Sequence, residues 1–180
     1  MYDVAREGGT PSTSVSSYYL NGDIPFVKIE DTKDKYINKV ETNITIEGLK
    51  NSSAWIVPKN NIILTNGATV GNVSINNIDV STKQGIIGMV LKENLNPEFV
   101  YYLLKTNKIW GEMMSKSSIG TFRYVLLKDL NKILFSLPNE KEREKISATL
   151  SNLDSSITLL QRKCEKLEKI KSILLKKMLI

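Results

Sequence analysis

Short apolar runs separated by turn residues characterise the first 138 residues of the chain. Runs that are rich in β-branched residues and bounded by Asn, Gly and Pro are typical of β-strands. The pattern predicts strands over 24–29, 61–65, 71–75 and 85–91, and a last strand-like segment over 133–138. The turns between these runs, such as "PKNN" and "NGAT", contain the Asn and Gly residues that tight connections require.

A helix is predicted to begin after Asn96. Asn is a favoured N-cap, Pro97 suits the first helical position, and Glu98 lies at the positive end of the helix dipole. Apolar residues then recur at helical spacing, at Phe99, Val100, Leu103 and Leu104. Residues 1–138 are therefore predicted to form one mixed α/β domain.

The composition changes after Pro138, because residues 139–180 contain neither Gly nor Pro. Asn139 and Glu142 resemble a capping box, which predicts that a helix begins there. Apolar residues follow at steps that alternate between four and three, and we call this row the seam: Ile146, Leu150, Leu153, Ile157, Leu160, Cys164, Leu167, Leu174 and Met178, with Lys171 as its polar member. A heptad pattern of this length predicts a coiled coil about 60 Å long. The alternative is a helix that folds back on its own domain.

Composition limits the chemistry and the location of the protein. The chain has 180 residues, no His and one Cys, which excludes an intrachain disulfide and the usual general base. Because Cys164 falls on the seam, we expect it to be a packing residue. No apolar run of membrane-spanning length and no secretion signal is present, so we expect a cytoplasmic protein without a membrane partner.

A net charge of +6 favours a polyanionic partner. Three polar loops, "GGTPSTS" (8–14), "STKQG" (81–85) and "SKSSIGTFR" (115–123), offer hydroxyl, amide and basic groups that bind phosphates and base edges. The candidate DNA-binding residues are Thr10, Ser12, Thr13, Lys28, Lys83, Gln84, Lys116, Ser117, Ser118, Thr121 and Arg123. The alternative is that these loops are ordinary solvated turns with local hydrogen bonds.

Catalytic motifs are weak, and we assign no catalytic residue and no metal ligand. The chain lacks a Walker-type phosphate loop and a G-x-G-x-x-G motif. Asp23, with Asp31 and Lys33, resembles the acidic-x-Lys element of metal-dependent nucleases, in which carboxylates hold magnesium near the scissile phosphate. A stand-alone magnesium nuclease therefore remains an alternative, as does a coiled-coil adaptor that binds other proteins.

Several segments occur in a characteristic order: "GGTPSTS", "GDIPFVKIEDTKD", "SSAWIVPKNNIILTNGATVGNVSI", "STKQGIIGM", "FVYYLLKT", "SIGTFRYVLLKDLNKI" and "SLPNEKEREKISATLSNLD". In this series the chain resembles the specificity subunits of type I restriction–modification enzymes. The resemblance implies a DNA-recognition subunit without a catalytic site. Such subunits contain two target-recognition domains, each followed by a long helix, and the two helices pack antiparallel.

The resemblance also implies partners. A methyltransferase subunit that methylates adenine would dock on the helix, and a restriction subunit would join it. S-adenosylmethionine, ATP and magnesium are expected on those subunits and not on this chain.

The chain carries one recognition domain (1–138) and one helix (139–180), and so resembles half of a specificity subunit. Pairing of two copies through the seam would restore two recognition domains and favour an inverted-repeat DNA site. Charged residues beside the seam, Lys163, Glu165, Lys166 and Glu168, would set the orientation of the pair. Under this interpretation "GGTPSTS" serves as framework or phosphate contact, and the other two loops select bases.

Overall fold

The computed structural model of the chain describes residues 1–67, 69–117 and 124–178, and the chain divides into two compact units, Met1–Pro138 and Asn139–Ile180. Within the described residues the strands are β1 (Tyr2–Glu7), β2 (Ile24–Val27), β3 (Tyr36–Ile37), β4 (Asn43–Ile44), β5 (Ile56–Val57), β6 (Asn61–Thr65), β7 (Val73–Asn76), β8 (Val80–Thr82) and β9 (Ile86–Leu91). The α-helices are α1 (Ile46–Lys50), α2 (Pro97–Leu104), α3 (Asn107–Lys116), α4 (Leu127–Leu130) and α5 (Glu140–Met178), and short 3₁₀ helices cover Ser16–Tyr18 and Ile29–Thr32.

Two mixed sheets organise the first unit. The larger sheet has the order β1-β9-β6-β7-β3 and the smaller one the order β4-β2-β8-β5. In the larger sheet only the β3–β7 pair among the described strands is parallel. In the smaller sheet the central strands β2 and β8 are parallel. The edge strand β4 pairs antiparallel with β2, and the edge strand β5 pairs antiparallel with β8. Residues 83–85 connect β8 to β9 and thereby join the two sheets.

The centre of the larger sheet is buried on both faces. β6 lies between β9 and β7, and its residues Ile62, Ile63 and Leu64 are each at most 1 % exposed. Side chains alternate between the faces of a strand, so burial of three in succession means that both faces are covered. This double burial explains why the strand reads as an uninterrupted apolar run. One core cluster draws on both sheets and contains Val27, Ile37, Val57, Ile63, Val80 and Ile86.

Helix α2 begins where the sequence predicts. The Asn96 side chain accepts a hydrogen bond from the Glu98 N–H at 2.8 Å, and Pro97 occupies the first helical position. Phe99, Val100 and Leu104 are buried, as their helical spacing indicates, whereas Leu103 is half-buried.

Lys35 and Glu98 tie α2 to the segment that leads into β3. The Lys35 Nζ lies 2.6 Å from Glu98 Oε2 and donates to the Tyr102 hydroxyl at 2.7 Å. Tyr36 donates a hydrogen bond to the same Glu98 carboxylate. Burial lowers the pKa of Lys35, but the hydrogen bonds to Glu98 and Tyr102 more than compensate, so that the pKa lies above its ordinary value. The ion pair therefore persists at neutral pH.

Helix α5 forms the second unit and contains 39 residues, a length of about 58 Å. The Glu142 N–H donates to Asn139 Oδ1 at 3.0 Å, which confirms Asn139 as the N-cap. The predicted fold class, a mixed α/β unit followed by a long helix, is confirmed. Within the described parts of the chain, no helix has the length and apolar character needed to cross a membrane.

The prediction of a strand-like segment over 133–138 is wrong. These residues form an irregular connection between α4 and α5. The Ile133 N–H donates to the Leu130 carbonyl at 3.1 Å, which closes a turn after α4 in place of a strand pairing. Ile133 is buried, but Leu134 is 81 % exposed. An apolar run alone does not make a strand, because a strand also needs a free sheet edge to complete its hydrogen bonds.

Candidate nucleic-acid interface

A tight turn from Lys83 to Ile86 presents Gln84 to solvent. The Ile86 N–H donates to the Lys83 carbonyl at 3.2 Å, and Gly85 has a φ of +84°. A type II turn requires a positive φ at its third residue, and this conformation favours glycine there. Gln84 directly precedes this glycine and is exposed. Its amide group has both the donor and the acceptor that a bidentate contact with adenine requires.

An open cleft of about 560 Å³ lies beside this turn, and we call it the Glu7 cleft. Its lining residues are Glu7, Gly8, Gly9, Thr10, Ser52, Ser53, Gln84 and Tyr124. The lining offers hydroxyl, amide and carboxylate groups, so that the cleft is predominantly polar.

The Glu7 carboxylate accepts hydrogen bonds from three segments of the chain. The Gly85 N–H donates to Oε1 at 2.9 Å, while the Tyr124 hydroxyl and the Asn66 amide, the latter at 3.4 Å, donate to Oε2. Burial and the hydrogen bond to Glu7 raise the pKa of Tyr124 to about 12. The Tyr124 hydroxyl therefore remains a donor at neutral pH.

The two glycines of "GGTPSTS" pack directly against neighbouring backbone. A Cβ atom on Gly8 would lie 1.9 Å from the Thr82 carbonyl oxygen, and one on Gly9 would lie 2.8 Å from the Ser53 Cα. The Gly9 N–H also donates to the Thr82 carbonyl at 3.1 Å. These glycines hold the loop against β8, and they bring the next residue, Thr10, into the Glu7 cleft.

Lys28 and Lys83 follow two neighbouring parallel strands. Val27 of β2 pairs with Thr82 of β8, and the Lys83 N–H donates to the Val27 carbonyl at 3.1 Å. Because the carboxyl ends of parallel strands meet at one edge of a sheet, the two lysines emerge on the same edge. Ammonium groups bind DNA phosphates through charge, and Gln84 directly follows Lys83.

Asp31 caps a helix in the segment with the nuclease-like pattern. Its Oδ2 accepts a hydrogen bond from the Lys28 N–H at 2.8 Å at the start of the Ile29–Thr32 helix. Asp23 and Lys33 are exposed. In residues 1–67, 69–117 and 124–178, no group of three His, Cys, Asp or Glu side chains is arranged to hold a metal ion.

The seam of α5 is exposed over most of its length. Ile146 and Leu150 are half-buried and Cys164 is exposed. The remaining apolar members have exposed fractions of 51 to 79 %: Leu153, Ile157, Leu160, Leu167, Leu174 and Met178. An apolar row of this length on a surface, interrupted at Lys171, is typical of an interaction site.

Residues 1–169 match the family described as "Type I restriction modification DNA specificity domain". The chain belongs to this family. It is similar to the type I restriction enzyme MjaIX specificity subunit of Methanocaldococcus jannaschii, with 34% identity over 166 residues, which cover 91% of this chain and 38% of that protein. It is also similar to the EcoR124I/EcoR124II specificity subunit of Escherichia coli, with 23% identity over 152 residues, or 82% of this chain and 38% of that subunit.

Solved structures share the fold of this specificity domain. The HsdS subunit from Thermoanaerobacter tengcongensis matches with a TM-score of 0.63 at 20% identity, over 88% of this chain and 37% of that chain. The type I restriction–modification S subunit from M. genitalium matches with a TM-score of 0.59 at 17% identity, over 84% and 36%. The chain thus spans less than half of the length of each of these relatives.

The structure of the specificity domain brings only some of the predicted DNA-binding residues together. Thr10 and Gln84 line the Glu7 cleft, and Lys28 and Lys83 follow the adjacent strand ends. Ser12 and Thr13 are exposed in the loop that precedes the Ser16–Tyr18 helix.

The remaining predicted residues belong to the segment around the end of α3. Lys116 is the last residue of α3, and the Ser117 hydroxyl donates to the Met114 carbonyl at 2.6 Å. Neither residue is part of the lining of the Glu7 cleft. Ser118, Thr121 and Arg123 lie outside the described residues.

Glu7 and Tyr124 are candidates that the sequence patterns do not single out. They are 117 positions apart, and no periodicity connects them. The one available signal is the acidic residue at the end of an alternating N-terminal stretch, directly before the Gly8–Gly9 pair.

Proposed function

We propose that this chain recognises DNA as the specificity component of a type I restriction–modification enzyme and performs no covalent chemistry itself. The observation that carries the proposal is the match of residues 1–169 to the DNA specificity domain family. The Glu7 cleft and the adjacent lysines support it, because they combine an amide that suits base readout with charges that suit phosphates. Residues 1–138 are the proposed target-recognition domain.

The partners follow from the same proposal. Helix α5 provides the spacer and the docking site for a methyltransferase subunit, which a restriction subunit joins. S-adenosylmethionine, ATP and magnesium bind to those subunits. Double-stranded DNA contacts the first unit, and the complex acts in the cytoplasm.

We further propose that two copies of the chain pair through the seam. The exposed apolar row from Leu153 to Met178 supports this pairing, since a coiled coil would remove it from water. A two-fold pair presents one reading surface twice and therefore recognises an inverted repeat with a fixed gap.

Genome-wide mapping of methylated adenine tests these proposals. The chain is co-expressed with the adenine methyltransferase subunit of its own system, in a host that lacks adenine methylation. A split inverted-repeat motif is the expected result, and it would support both DNA recognition and two copies per complex. An asymmetric split motif would contradict the homodimer.

Co-purification of the two proteins serves as the control for assembly. Absence of methylation from a complex that does co-purify would contradict the recognition function. Failure of the two proteins to associate would favour the adaptor alternative. Magnesium-dependent cleavage of DNA by the purified chain, abolished in Asp31→Ala, would favour the nuclease alternative.

A further inference from the structure

The backbone of Gly85, next to Gln84, is held on both sides. Its N–H donates to Glu7 Oε1 at 2.9 Å. Its carbonyl accepts hydrogen bonds from the Asn66 N–H at 3.0 Å and the Gly67 N–H at 3.2 Å. The turn therefore has a fixed orientation, and the exposed Gln84 side chain projects from a rigid base.

The same carboxylate reaches a second segment through Tyr124. Glu7 Oε2 accepts the hydrogen bond of the Tyr124 hydroxyl. The following residue is anchored as well, because the Val125 N–H donates to the Asn66 carbonyl at 2.9 Å and the Asn66 side-chain amide donates to the Val125 carbonyl at 3.1 Å. Glu7, Asn66 and Tyr124 thus connect the end of β1, the end of β6 and the segment that leads into α4.

A carboxylate is an unfavourable group for direct contact with DNA phosphates, since like charges repel. The oxygens of Glu7 already accept hydrogen bonds from Gly85, Asn66 and Tyr124. Hydrogen bonds to an ionised acceptor are stronger than those between neutral groups, and they fix geometry well. Both facts favour a role for Glu7 in positioning its neighbours.

We propose that Glu7 and Tyr124 form a positioning pair that sets the orientation of Gln84, and that sequence selectivity of the DNA complex depends on their hydrogen bond. This inference rests on the proposed function, because it assigns Gln84 to base readout. A bidentate contact of the Gln84 amide with a base depends on the orientation of the turn, whereas the contact of a lysine ammonium group with a phosphate tolerates a small displacement of the turn. Loss of the Tyr124 hydroxyl should therefore reduce selectivity and leave affinity for unrelated DNA nearly unchanged.

The experiment compares Tyr124→Phe with Tyr36→Phe. Both substitutions delete one tyrosine hydroxyl that donates to a glutamate in the first unit, to Glu7 and Glu98 respectively. Tyr36 does not line the Glu7 cleft, so its variant controls for loss of stability. The full chain in complex with its methyltransferase subunit is titrated with DNA that carries the mapped wild-type motif and with scrambled DNA. Melting temperatures of both variants are measured in parallel.

We expect Tyr124→Phe to lower the ratio of the two affinities by about tenfold and Tyr36→Phe to change it by less than about twofold. The loss should fall on the same motif positions that Gln84→Ala relaxes. Equal ratios for the two phenylalanine variants would overturn the positioning pair alone, and so would a loss of affinity that is the same for both DNAs. A wild-type complex with no sequence preference would overturn the positioning pair together with the proposed function.

Discussion

Two adjacent leucines of α5 allow a direct test of pairing through the seam. Leu160 belongs to the seam, whereas Leu159 lies one position before it and faces away from the seam in the heptad. Leu160 is 64 % exposed and Leu159 is 69 % exposed, so truncation of either side chain should lower the stability of the isolated chain by a similar amount. We therefore compare Leu160→Ala with Leu159→Ala.

The expected effect of Leu160→Ala follows from its exposed fraction. Replacement of Leu by Ala removes three carbon atoms, which stabilise by about 2.4 kcal/mol when they become fully buried. Because Leu160 is 64 % exposed in one chain, pairing removes about two thirds of this group from water, which corresponds to about 1.5 kcal/mol. A two-fold dimer contains the residue twice, so the loss is about 3 kcal/mol, or about 150-fold in the dissociation constant.

Sedimentation equilibrium of the full chain over a range of concentrations measures this constant. Leu160→Ala should weaken the dimer about 150-fold, and Leu159→Ala by less than about twofold. Similar effects of the two substitutions would show that the seam is not the contact. A wild-type chain that stays monomeric in the presence and in the absence of the methyltransferase subunit would refute the pairing altogether.

Three further predictions concern the first unit. Gly8→Ala should lower the free energy of unfolding in urea by about 3 kcal/mol or more, because the new Cβ would lie 1.9 Å from a backbone oxygen. Gly111→Ala is the control, because its Cβ would meet no atom within 4 Å, and it should stabilise α3 by about 0.5–1 kcal/mol. Lys83→Ala should weaken binding to all DNA sequences and lower the slope of log affinity against log salt concentration by about 1. Gln84→Ala should weaken binding to target DNA only, and an equal loss of affinity for target and unrelated DNA would contradict the assignment of Gln84. The pKa of Tyr124 is about 12 in the folded chain against 10.0 ordinarily, so its protonated hydroxyl stabilises the folded chain fully below pH 10.0, and this stabilisation is lost as the pH rises towards 12. Tyr124→Phe lacks this group, so its melting temperature should fall less steeply than that of the wild type across this pH range.

The elements that the sequence predicts are those with strong local signals. β6 and β9 contain uninterrupted apolar runs, and α2 has its N-cap and Pro at the expected positions. The short strands β3, β4 and β5 have two residues each and are defined by their pairing partners in the sheets. Conversely, the apolar run over 133–138 forms no strand. Local composition therefore identifies core elements, while sheet edges depend on contacts that are distant in sequence.

The same distinction applies to the candidate site. Thr10 and Gln84 are predictable, because glycine-rich polar loops are visible in the sequence and both residues line the Glu7 cleft. Glu7 and Tyr124 are not, since their hydrogen bond joins residues 117 positions apart. The seam is fully visible because one helix contains all of it.

The order of the seam is compatible with an antiparallel orientation of the proposed pair. Its steps of four and three read the same from either end, so an antiparallel pair centred on Arg162 sets Leu160 opposite Cys164 of the other copy and the polar member Lys171 opposite Leu153. This register also brings the two Lys163 side chains near each other, at a cost of a few tenths of a kcal/mol (about 0.5 at most) for exposed like charges. This electrostatic cost is small beside the contribution of the apolar contacts along the seam.

Cys164 then reports the orientation without any added probe. In a parallel, in-register pair the two Cys164 residues would face each other, and the wild-type chain would cross-link on oxidation. In the antiparallel pair the wild type should stay uncross-linked, while Leu160→Cys should form disulfides with Cys164 of the other copy. Antiparallel pairing would place the two proposed recognition domains at opposite ends of the paired helices, as the proposed split site requires. Efficient cross-linking of the wild type would therefore contradict both the orientation and the split site.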